Sequence, residues 1–288
     1  MTIATSIDAA CAAMQAKPDA LVLAGGTDLM VEVNRGIRPI NNVVAVGRIP
    51  EMRGWSREGV SGGILRIGAG TTCADLTEPT VAALVPALAQ AARTVGSPQI
   101  RNSATIGGNL ATASPAGDTL PVLAALEAEI ELRSVEGVRR LPLGEFVVGV
   151  KDNALVPGEL IVAVRVPVLD GPQEFLKVGT RNAMVIAVAS LALVVDRPGR
   201  TVRVALGSVA PVPVRAIEAE VLVAEQLDFD GEVPPDSDLV DRFAALVADA
   251  ARPIDDHRGS AAYRRHAVMV IAGRALRRAF PGSSKAVK

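Results

Sequence analysis

Two glycine pairs, each followed by a short polar side chain, constrain this chain more than any other feature. Residues 25–27 read Gly-Gly-Thr, and residues 107–109 read Gly-Gly-Asn within VGSPQIRNSATIGGNLATASPAGDTLPVLAALEAEIEL, residues 95–132. Because glycine has no Cβ, consecutive N–H groups at such a pair can approach a bulky anion such as a diphosphate. The first pair also precedes a predicted helix, whose N terminus favours a phosphate. The sequence therefore contains two candidate phosphate cradles.

Each pair also has an ordinary explanation. Gly-Gly-Asn suits a hairpin turn, because glycine and asparagine adopt the positive φ angles that such turns require. Gly-Gly-Thr can simply form the turn between a strand and a helix. Asp118 precedes an apolar segment over residues 119–126, so it can cap a helix there, contact a ligand, or do both. Short hydrogen-bonding side chains on both sides of the second pair favour a binding loop: Thr105, Asn109, Thr112 and Ser114.

Four motifs carry a resemblance to a known family. Residues 99–118 match QIRN-x-x-TIGGN-x-x-x-ASP-x-x-D, and residues 24–29 read AGGTDL. Near the C terminus, residues 254–258 read IDDHR and residues 263–265 read YRR. These motifs resemble the FAD-binding (medium) subunit of molybdenum hydroxylases, the family of the carbon monoxide dehydrogenase medium subunit and the xanthine dehydrogenase FAD domain. The resemblance covers nearly all of the 288 residues.

The resemblance implies an α+β fold with two domains. Residues 1–170 are expected to form an FAD-binding domain of the VAO/PCMH type, with a small α/β subdomain (residues 1–55, parallel sheet) and an antiparallel subdomain (residues 60–170). Residues 171–288 are expected to form the C-terminal domain of the flavin subunit, a three-stranded sheet with helices on one face. The linker-like PVLDGP at residues 167–172 agrees with this division.

Local patterns predict the individual elements. Ser6 is placed to cap the first helix, and Pro86 is expected to break or bend a helix over residues 81–94. Asp255 and Asp256 are expected to stabilise the positive end of the last helix. Residues 55–63 are predicted to form a loop. The other predicted strands cover residues 20–24, 42–46, 64–70, 129–133, 138–141, 160–166, 175–179, 185–196 and 202–209, and the other predicted helices cover residues 6–16, 214–225, 238–250 and 258–280.

The resemblance further implies noncovalently bound FAD, with its diphosphate on the N–H groups near residues 25–27 and 107–109. An ammonium from Lys177 at the pyrimidine edge would stabilise negative charge on the reduced ring, although a strand lysine can also extend to solvent. Arg181 is a weaker candidate, because an interdomain or partner salt bridge explains it equally well. Val185 departs from relatives that often have Asp there. The expected cofactor contacts are Leu23, Ala24, Gly25, Gly26, Thr27, Asp28, Leu29, Val95, Thr105, Ile106, Gly107, Gly108, Asn109, Thr112, Ser114, Asp118, Ile161 and Lys177.

As a function, the resemblance implies an electron-carrying subunit of a molybdenum hydroxylase. A large molybdopterin subunit is expected to pass electrons to a small [2Fe-2S] subunit, which passes them to this chain. The final acceptor is NAD, a quinone or oxygen. A dimer of heterotrimers is the expected assembly. Two alternatives stay open: a self-sufficient flavin oxidoreductase of the same fold, and a structural subunit that has lost its FAD.

Composition excludes several other classes. A net charge of -1 gives no electrostatic reason to expect nucleic acid or an anionic membrane as partner. Cys11 and Cys73 are too few and too far apart to hold an iron–sulfur cluster, and they are expected to be buried, although a disulfide stays open. His257 and His266 have no third partner that would make a metal site. The two cysteines suit a reducing cytoplasm, which is the expected location. No run of roughly 20 apolar residues occurs, so no membrane span is expected.

Overall fold

The computed structural model of the chain describes residues 1–59, 63–230 and 233–282. Its strands are β1 (Thr2–Ile3), β2 (Leu21–Leu23), β3 (Val43–Ala45), β4 (Trp55–Glu58), β5 (Ile64–Gly68), β6 (Glu129–Ser134), β7 (Gly137–Pro142), β8 (Val147–Gly149), β9 (Asp152–Asn153), β10 (Leu160–Pro167), β11 (Gln173–Val178), β12 (Ala189–Asp196), β13 (Thr201–Gly207) and β14 (Val214–Arg215). Its α-helices are α1 (Ile7–Ala16), α2 (Leu29–Asn34), α3 (Pro79–Leu84), α4 (Pro86–Thr94), α5 (Pro98–Arg101), α6 (Ile106–Thr112), α7 (Thr119–Ala125), α8 (Leu143–Phe146), α9 (Ile217–Gln226), α10 (Ser237–Ala250) and α11 (Ala261–Ala279). Short 3₁₀ helices cover Pro50–Met52 and Asp75–Thr77.

The N-terminal segment forms a small parallel sheet in the order β1-β3-β2. The predicted strand–helix–strand unit is confirmed as β2, α2 and β3, and the sequence pattern missed only the two-residue β1. The Oγ of Ser6 accepts the N–H of Ala9 at 3.1 Å, so Ser6 caps α1 as predicted. This unit places the first glycine loop between the end of β2 and the start of α2.

A five-stranded antiparallel sheet follows, in the order β4-β5-β10-β6-β7. The prediction of a loop over residues 55–63 is wrong for β4, which pairs with β5, and residues 60–62 of that loop lie outside the described residues. All four residues of β4 are exposed on the sheet edge. An edge strand without a buried face has no apolar alternation, which is why the sequence did not reveal it.

The helix predicted over residues 81–94 is broken where expected. Helix α3 ends at Leu84, and Pro86 is the first residue of α4. Proline has no N–H to continue the first helix, but its fixed φ suits the start of a new one. The break lets α4 run along α7 and β11 and brings Thr94, its last residue, into contact with Asp118 and Lys177.

The C-terminal segment forms a second sheet, in the order β11-β12-β13-β14, with α9, α10 and α11 on one face. The three long predicted strands are present. Residues 214–225 were predicted as a helix, but Val214–Arg215 instead pair with β13 and the helix begins at Ile217. The Arg215 guanidinium is held there by Glu220 at 2.6 Å and by Glu127 at 3.1 Å. Glu127 is 88 positions from Arg215, so a local sequence pattern cannot reveal this partner.

Strand β12 is buried on both faces, which explains its continuous apolar sequence. Ala192 and Val194 face a core that also contains the parallel and antiparallel sheets, whereas Leu191, Leu193 and Val195 face α9, α10 and α11. A strand buried on two sides needs no polar alternation. The two cores therefore meet at one sheet. Across the described residues, no helix is both long and apolar enough to cross a membrane.

Cys11 and Cys73 are both buried, as predicted, and both are free, so the disulfide that the sequence left open is excluded. Burial raises the pKa of the Cys73 thiol to about 11. Both thiols therefore stay protonated near neutral pH and behave as small apolar side chains.

The start of α11 is fixed by an ion pair rather than by a helix dipole alone. The helix was predicted to begin at residue 258. Ser260 caps it instead, so α11 begins at Ala261. Arg264, only 4% exposed, donates to Asp256 at 2.6 Å and to the carbonyls of Val188 and Ser208 at 2.8 and 2.6 Å. Arg264 thereby ties α11 to the segments next to β12 and β13, and Asp256 holds the Arg264 guanidinium in place.

We expect Asp256→Asn to lower the free energy of unfolding in a pH-dependent way. The N–H of Arg258 and the Arg264 guanidinium lower the pKa of Asp256 to about 2. A depressed pKa stabilises the fold above the unfolded value near 4, and this stabilisation is lost as pH falls towards 2. The expected loss at neutral pH is about 1–2 kcal/mol after allowance for solvent screening.

Denaturant unfolding of both proteins at a series of pH values checks this expectation. Asp255→Asn is the matched control. Asp255 is exposed, and the asparagine of the variant keeps a side-chain oxygen that can accept the N–H of Ala261. A loss for Asp256→Asn that stays constant down to pH of about 2 would contradict the assigned role.

Candidate functional site

One groove of about 800 Å³ runs between the two glycine loops and the C-terminal sheet. Its size falls within the range of roughly 300–1,000 Å³ that is usual for small-molecule sites. All predicted contact residues except Leu23 and Ile106 line it: Ala24, Gly25, Gly26, Thr27, Asp28, Leu29, Val95, Thr105, Gly107, Gly108, Asn109, Thr112, Ser114, Asp118, Ile161 and Lys177. Ile106 is fully buried in the core instead. Residues from three sheets thus converge on one cavity.

The first glycine loop lies directly against the segment that leads into the second. A Cβ on Gly25 would stand 1.7 Å from the carbonyl oxygen of Ser103, so only glycine permits this approach. The hydroxyl of Thr112 donates to the carboxylate of Asp28 at 3.1 Å and joins the far ends of the two loops. The two loops are therefore opposite walls of one groove.

The second glycine loop is the first turn of α6. Thr105 caps this helix and accepts the N–H of Gly108 at 3.0 Å through its Oγ1, which excludes the hairpin turn considered from the sequence. Gly107 has a close-packing role, because its Cβ would stand 2.6 Å from the Cβ of Ala69. Gly108 keeps the groove wall free of side-chain atoms.

The N–H groups of the two loops differ in a way that the sequence did not predict. Those of residues 107–109 already donate within the chain, to Ala69, to the Thr105 side chain and to the Thr105 carbonyl. In contrast, the N–H groups of residues 25–29 have no acceptor among the described residues. The first loop therefore supplies the free donors, whereas the second supplies a smooth wall that lets an anion come close.

Asp118 and Lys177 form a buried ion pair in the same groove. The Nζ of Lys177 lies 2.6 Å from Oδ2 of Asp118 and 3.2 Å from the carbonyl of Thr94. The Thr94 hydroxyl also donates to Oδ2, at 2.9 Å. Lys177 is 9% exposed in its side chain, so the alternative of a strand lysine that extends to solvent is wrong.

The capping role considered for Asp118 is also wrong. Asp118 has helical backbone angles and makes no capping hydrogen bond to α7. Its Oδ1 is buried and has no hydrogen-bond partner among the described residues. Burial raises the pKa of Asp118, and the Lys177 ammonium and the Thr94 hydroxyl oppose this rise. Asp118 therefore lines the groove, and one of its two carboxylate oxygens accepts no hydrogen bond from the described residues.

Other predicted polar residues shape the groove through bonds within the chain. The Oδ1 of Asn109 accepts the Thr119 hydroxyl at 2.6 Å, and the Oγ of Ser114 accepts the N–H of Ala116 at 3.3 Å. Arg181 does not line the groove; its guanidinium donates to the carbonyls of Ala183 and Met184 in its own turn. It forms no ion pair with the rest of the described chain.

Sequence reasoning missed several residues of the groove. Gly96 follows Val95 and has a positive φ of 48°, which a glycine next to a predicted contact could have suggested. Glu159 is 8% exposed and held by Arg139 at 2.5 Å, and no local pattern reveals that pairing. Arg258 belongs to the IDDHR motif, for which only a structural role was considered, yet its side chain reaches the groove.

The groove fits FAD on the observations of this chain alone. It has free N–H donors from the first loop, a facing wall where Gly108 adds no side chain, and an ion pair with an oxygen that has no partner among the described residues. This order of chemistry suits a ligand with a diphosphate in its middle and a polar ring at one end. The described groove residues include no His, Tyr or Cys.

Fold and groove together define a flavoprotein subunit, and family comparison agrees. Residues 1–169 match the FAD binding domain in molybdopterin dehydrogenase, and residues 174–279 match the CO dehydrogenase flavoprotein C-terminal domain. The chain belongs to this family of FAD-binding subunits of molybdenum hydroxylases, as the sequence motifs predicted.

Several relatives match almost end to end. The glyceraldehyde dehydrogenase medium chain of Sulfolobus acidocaldarius is 33% identical over 279 residues, which cover 95% of both chains. The xanthine dehydrogenase FAD-binding subunit of Escherichia coli O157:H7 is 28% identical over 88% of this chain and 86% of its own. A chain of carbon monoxide dehydrogenase from Hydrogenophaga pseudoflava superposes with a TM-score of 0.87 at 31% identity, covering 97% of this chain and 96% of that one.

Proposed function

We propose that this chain holds one FAD in the groove between its glycine loops and carries electrons within a larger molybdenum hydroxylase. The convergence of both loops and the Asp118–Lys177 pair on a single groove is the observation that supports this most directly. Bound FAD supplies the ability to accept electrons from one partner and to pass a pair of them to another. The chain's own residues bind, orient and shield it.

In this proposal, the residues of the groove divide the work by chemistry. The free N–H groups of residues 25–29 bind the diphosphate, and Gly108 allows it to lie close to α6. Lys177 places a positive charge beside the ring, which favours the reduced form. Val95 and Ile161 contribute apolar walls that exclude water from the ring.

The electron donor is proposed to be a separate iron–sulfur subunit. A cluster requires several cysteine ligands, and the only two cysteines of this chain are buried and free. A small [2Fe-2S] subunit and a large molybdopterin subunit are the partners that we propose, assembled as a dimer of heterotrimers, with NAD, a quinone or oxygen as final acceptor. Unpaired cysteines are typical of a reducing compartment, so we place the complex in the cytoplasm.

The two alternatives are separated by simple measurements. A self-sufficient flavoenzyme turns over an electron donor without partners, whereas the proposed subunit, purified alone with FAD, does not. A structural subunit without cofactor neither contains flavin nor takes it up.

Native mass spectrometry of the complex isolated from cells tests the proposed partners directly. Recovery of the flavin chain without a cysteine-rich chain or a molybdopterin chain would contradict those partners.

We expect Gly108→Val to weaken FAD retention while the protein stays folded. A Cβ at Gly108 would stand 3.0 Å from the Thr105 Oγ1 that caps α6, and the rest of the valine would occupy the groove wall. Flavin absorbance after gel filtration measures retention, and circular dichroism measures the fold. Unchanged flavin content in the variant would refute the assignment of this wall to the cofactor.

A further inference from the structure

Asp118 has fewer hydrogen-bond donors than a buried, ionised carboxylate requires. Oδ1 has none among the described residues, and Oδ2 has two, from Lys177 and Thr94. The single hydroxyl proton of Thr94 is also within reach of the Ala91 carbonyl, at 2.8 Å, so this donor is shared. The Lys177 ammonium is therefore the only donor among the described residues with a proton that serves Asp118 alone. The bare Oδ1 is a place for a proton.

Few groups of the chain act on the charge of Asp118. Lys177 of β11 contacts it directly, and Thr94 of α4 adds a neutral hydroxyl. Cys73 lies near enough to feel the carboxylate, but with a pKa of about 11 the thiol stays neutral. From α6, Asn109 approaches through its bond to the neighbouring Thr119.

The remaining elements packed against α7 bring no opposing charge to Asp118. Strand β12 presents Ser190 near Pro121, in the first turn of α7. The arginines of β13 and β14, Arg203 and Arg215, pair with Glu127 beyond the opposite end of α7. Glu145 of α8 is exposed. Within the groove, the side chains of Glu159 and Arg258 are already paired, with Arg139 and with Asp256.

We propose that Asp118 takes up one proton from solvent when the FAD in the groove is reduced, and releases it on reoxidation. This inference rests on the proposed function. Reduction by two electrons with one proton leaves the ring with one added negative charge. Asp118 then binds a second proton, forming an O–H bond at Oδ1, and the Lys177 ammonium is left to face the reduced ring. Two electrons and two protons enter the site together, so the site as a whole gains no charge.

The physical reason is competition for one ammonium. In the oxidised state, the Lys177 ammonium lies 2.6 Å from Oδ2 and favours the ionised carboxylate against the effect of burial. A negative charge on the ring draws on the same ammonium and repels the carboxylate of Asp118, which is only 6% exposed, and both effects favour the protonated acid. The geometry allows this change without rearrangement, because Oδ1 has no donor to displace.

The test is the pH dependence of the midpoint potential of the FAD-loaded protein. For a two-electron couple, a tenfold change in concentration corresponds to 29.6 mV, so each proton taken up contributes about 30 mV per pH unit. We expect about 59 mV per pH unit for the wild type over the neutral range, and about 30 mV for Asp118→Asn, whose amide cannot take up a proton.

Glu159→Gln is the matched control, because Glu159 is a second buried carboxylate of the same groove. Its pKa is lowered by Arg139 and by the N–H of Val156 despite the burial, so it stays ionised in both states. The slope of this variant is expected to equal that of the wild type. A wild-type slope of about 30 mV per pH unit, or equal slopes in the wild type and Asp118→Asn, would overturn the proposal.

A second measurement covers the case in which Asp118→Asn does not retain FAD. Infrared difference spectra of the wild type and of Glu159→Gln are recorded between the oxidised and reduced states. Both are expected to gain the carbonyl band of a protonated carboxylic acid on reduction, and a spectrum without that band refutes proton uptake at Asp118. A wild-type protein that binds no FAD contradicts the proposed function itself, a result distinct from a flavin-loaded protein with a one-proton slope.

Discussion

Gly25→Ala is expected to lower the affinity for FAD at least about 100-fold, or about 2.8 kcal/mol. The added Cβ would stand 1.7 Å from the carbonyl oxygen of Ser103, a backbone atom that no side-chain rotation can move aside. The first loop must therefore shift away from the segment that precedes Thr105. That shift separates the free N–H donors from the wall that Gly108 leaves open, so the diphosphate loses its position between them.

Gly144→Ala provides the matched control for this variant. It adds the same methyl group at a glycine where a Cβ meets no atom within 4 Å. Flavin fluorescence titration of the two FAD-free variants gives their dissociation constants, and denaturant unfolding shows that both are folded. Equal FAD affinities in Gly25→Ala and Gly144→Ala would contradict the close approach of the two loops as the basis of binding.

Lys177→Met is expected to lower the free energy of unfolding of the FAD-free protein by about 3 kcal/mol at neutral and alkaline pH. The substitution leaves the buried Asp118 without its ammonium, so only the Thr94 hydroxyl still opposes the effect of burial, and the pKa of Asp118 rises further. A carboxyl group with a raised pKa costs nothing while it is protonated, and it destabilises the fold as pH rises through the window between its unfolded and folded values. The loss is therefore expected to shrink in acid.

Lys151→Met makes the same chemical change at an exposed ion pair. Lys151 lies 3.1 Å from Glu32, and 59% of its side chain is exposed. Such a pair contributes roughly 0–1 kcal/mol. Denaturant unfolding of both variants across a pH series measures how much free energy of unfolding each one loses. Equal losses for Lys177→Met and Lys151→Met at every pH would contradict a buried Lys177–Asp118 pair.

The order of elements could be predicted because each depends on local chemistry. Ser6 caps α1, Pro86 starts α4, and Gly25 and Gly26 lie in the turn between β2 and α2. The apolar run of β12 predicted a buried strand, although its sequence could not reveal that two different cores bury it. Such features need only a few neighbouring residues, and a single sequence contains them.

The features that could not be predicted depend on contacts across long stretches of chain. Asp118 is a groove residue rather than a helix cap because Lys177, 59 positions away, supplies its partner. Arg215 of strand β14 is held by Glu127, which lies 88 positions away. The N–H groups of residues 107–109 are used up by Ala69 and Thr105, a consequence of close packing. Residue types suggested a site at these places, and only the fold assigns the roles.

The central claim, that one extended FAD joins the two glycine loops to the Asp118–Lys177 pair, is tested most directly by a crystal structure of the FAD-loaded chain. We predict a diphosphate within hydrogen-bond distance of N–H groups from residues 25–29, in contact with Gly108 on its other side. The flavin ring is predicted to lie beside Lys177. A diphosphate that contacts only one of the two loops, or FAD bound outside this groove, would contradict the account.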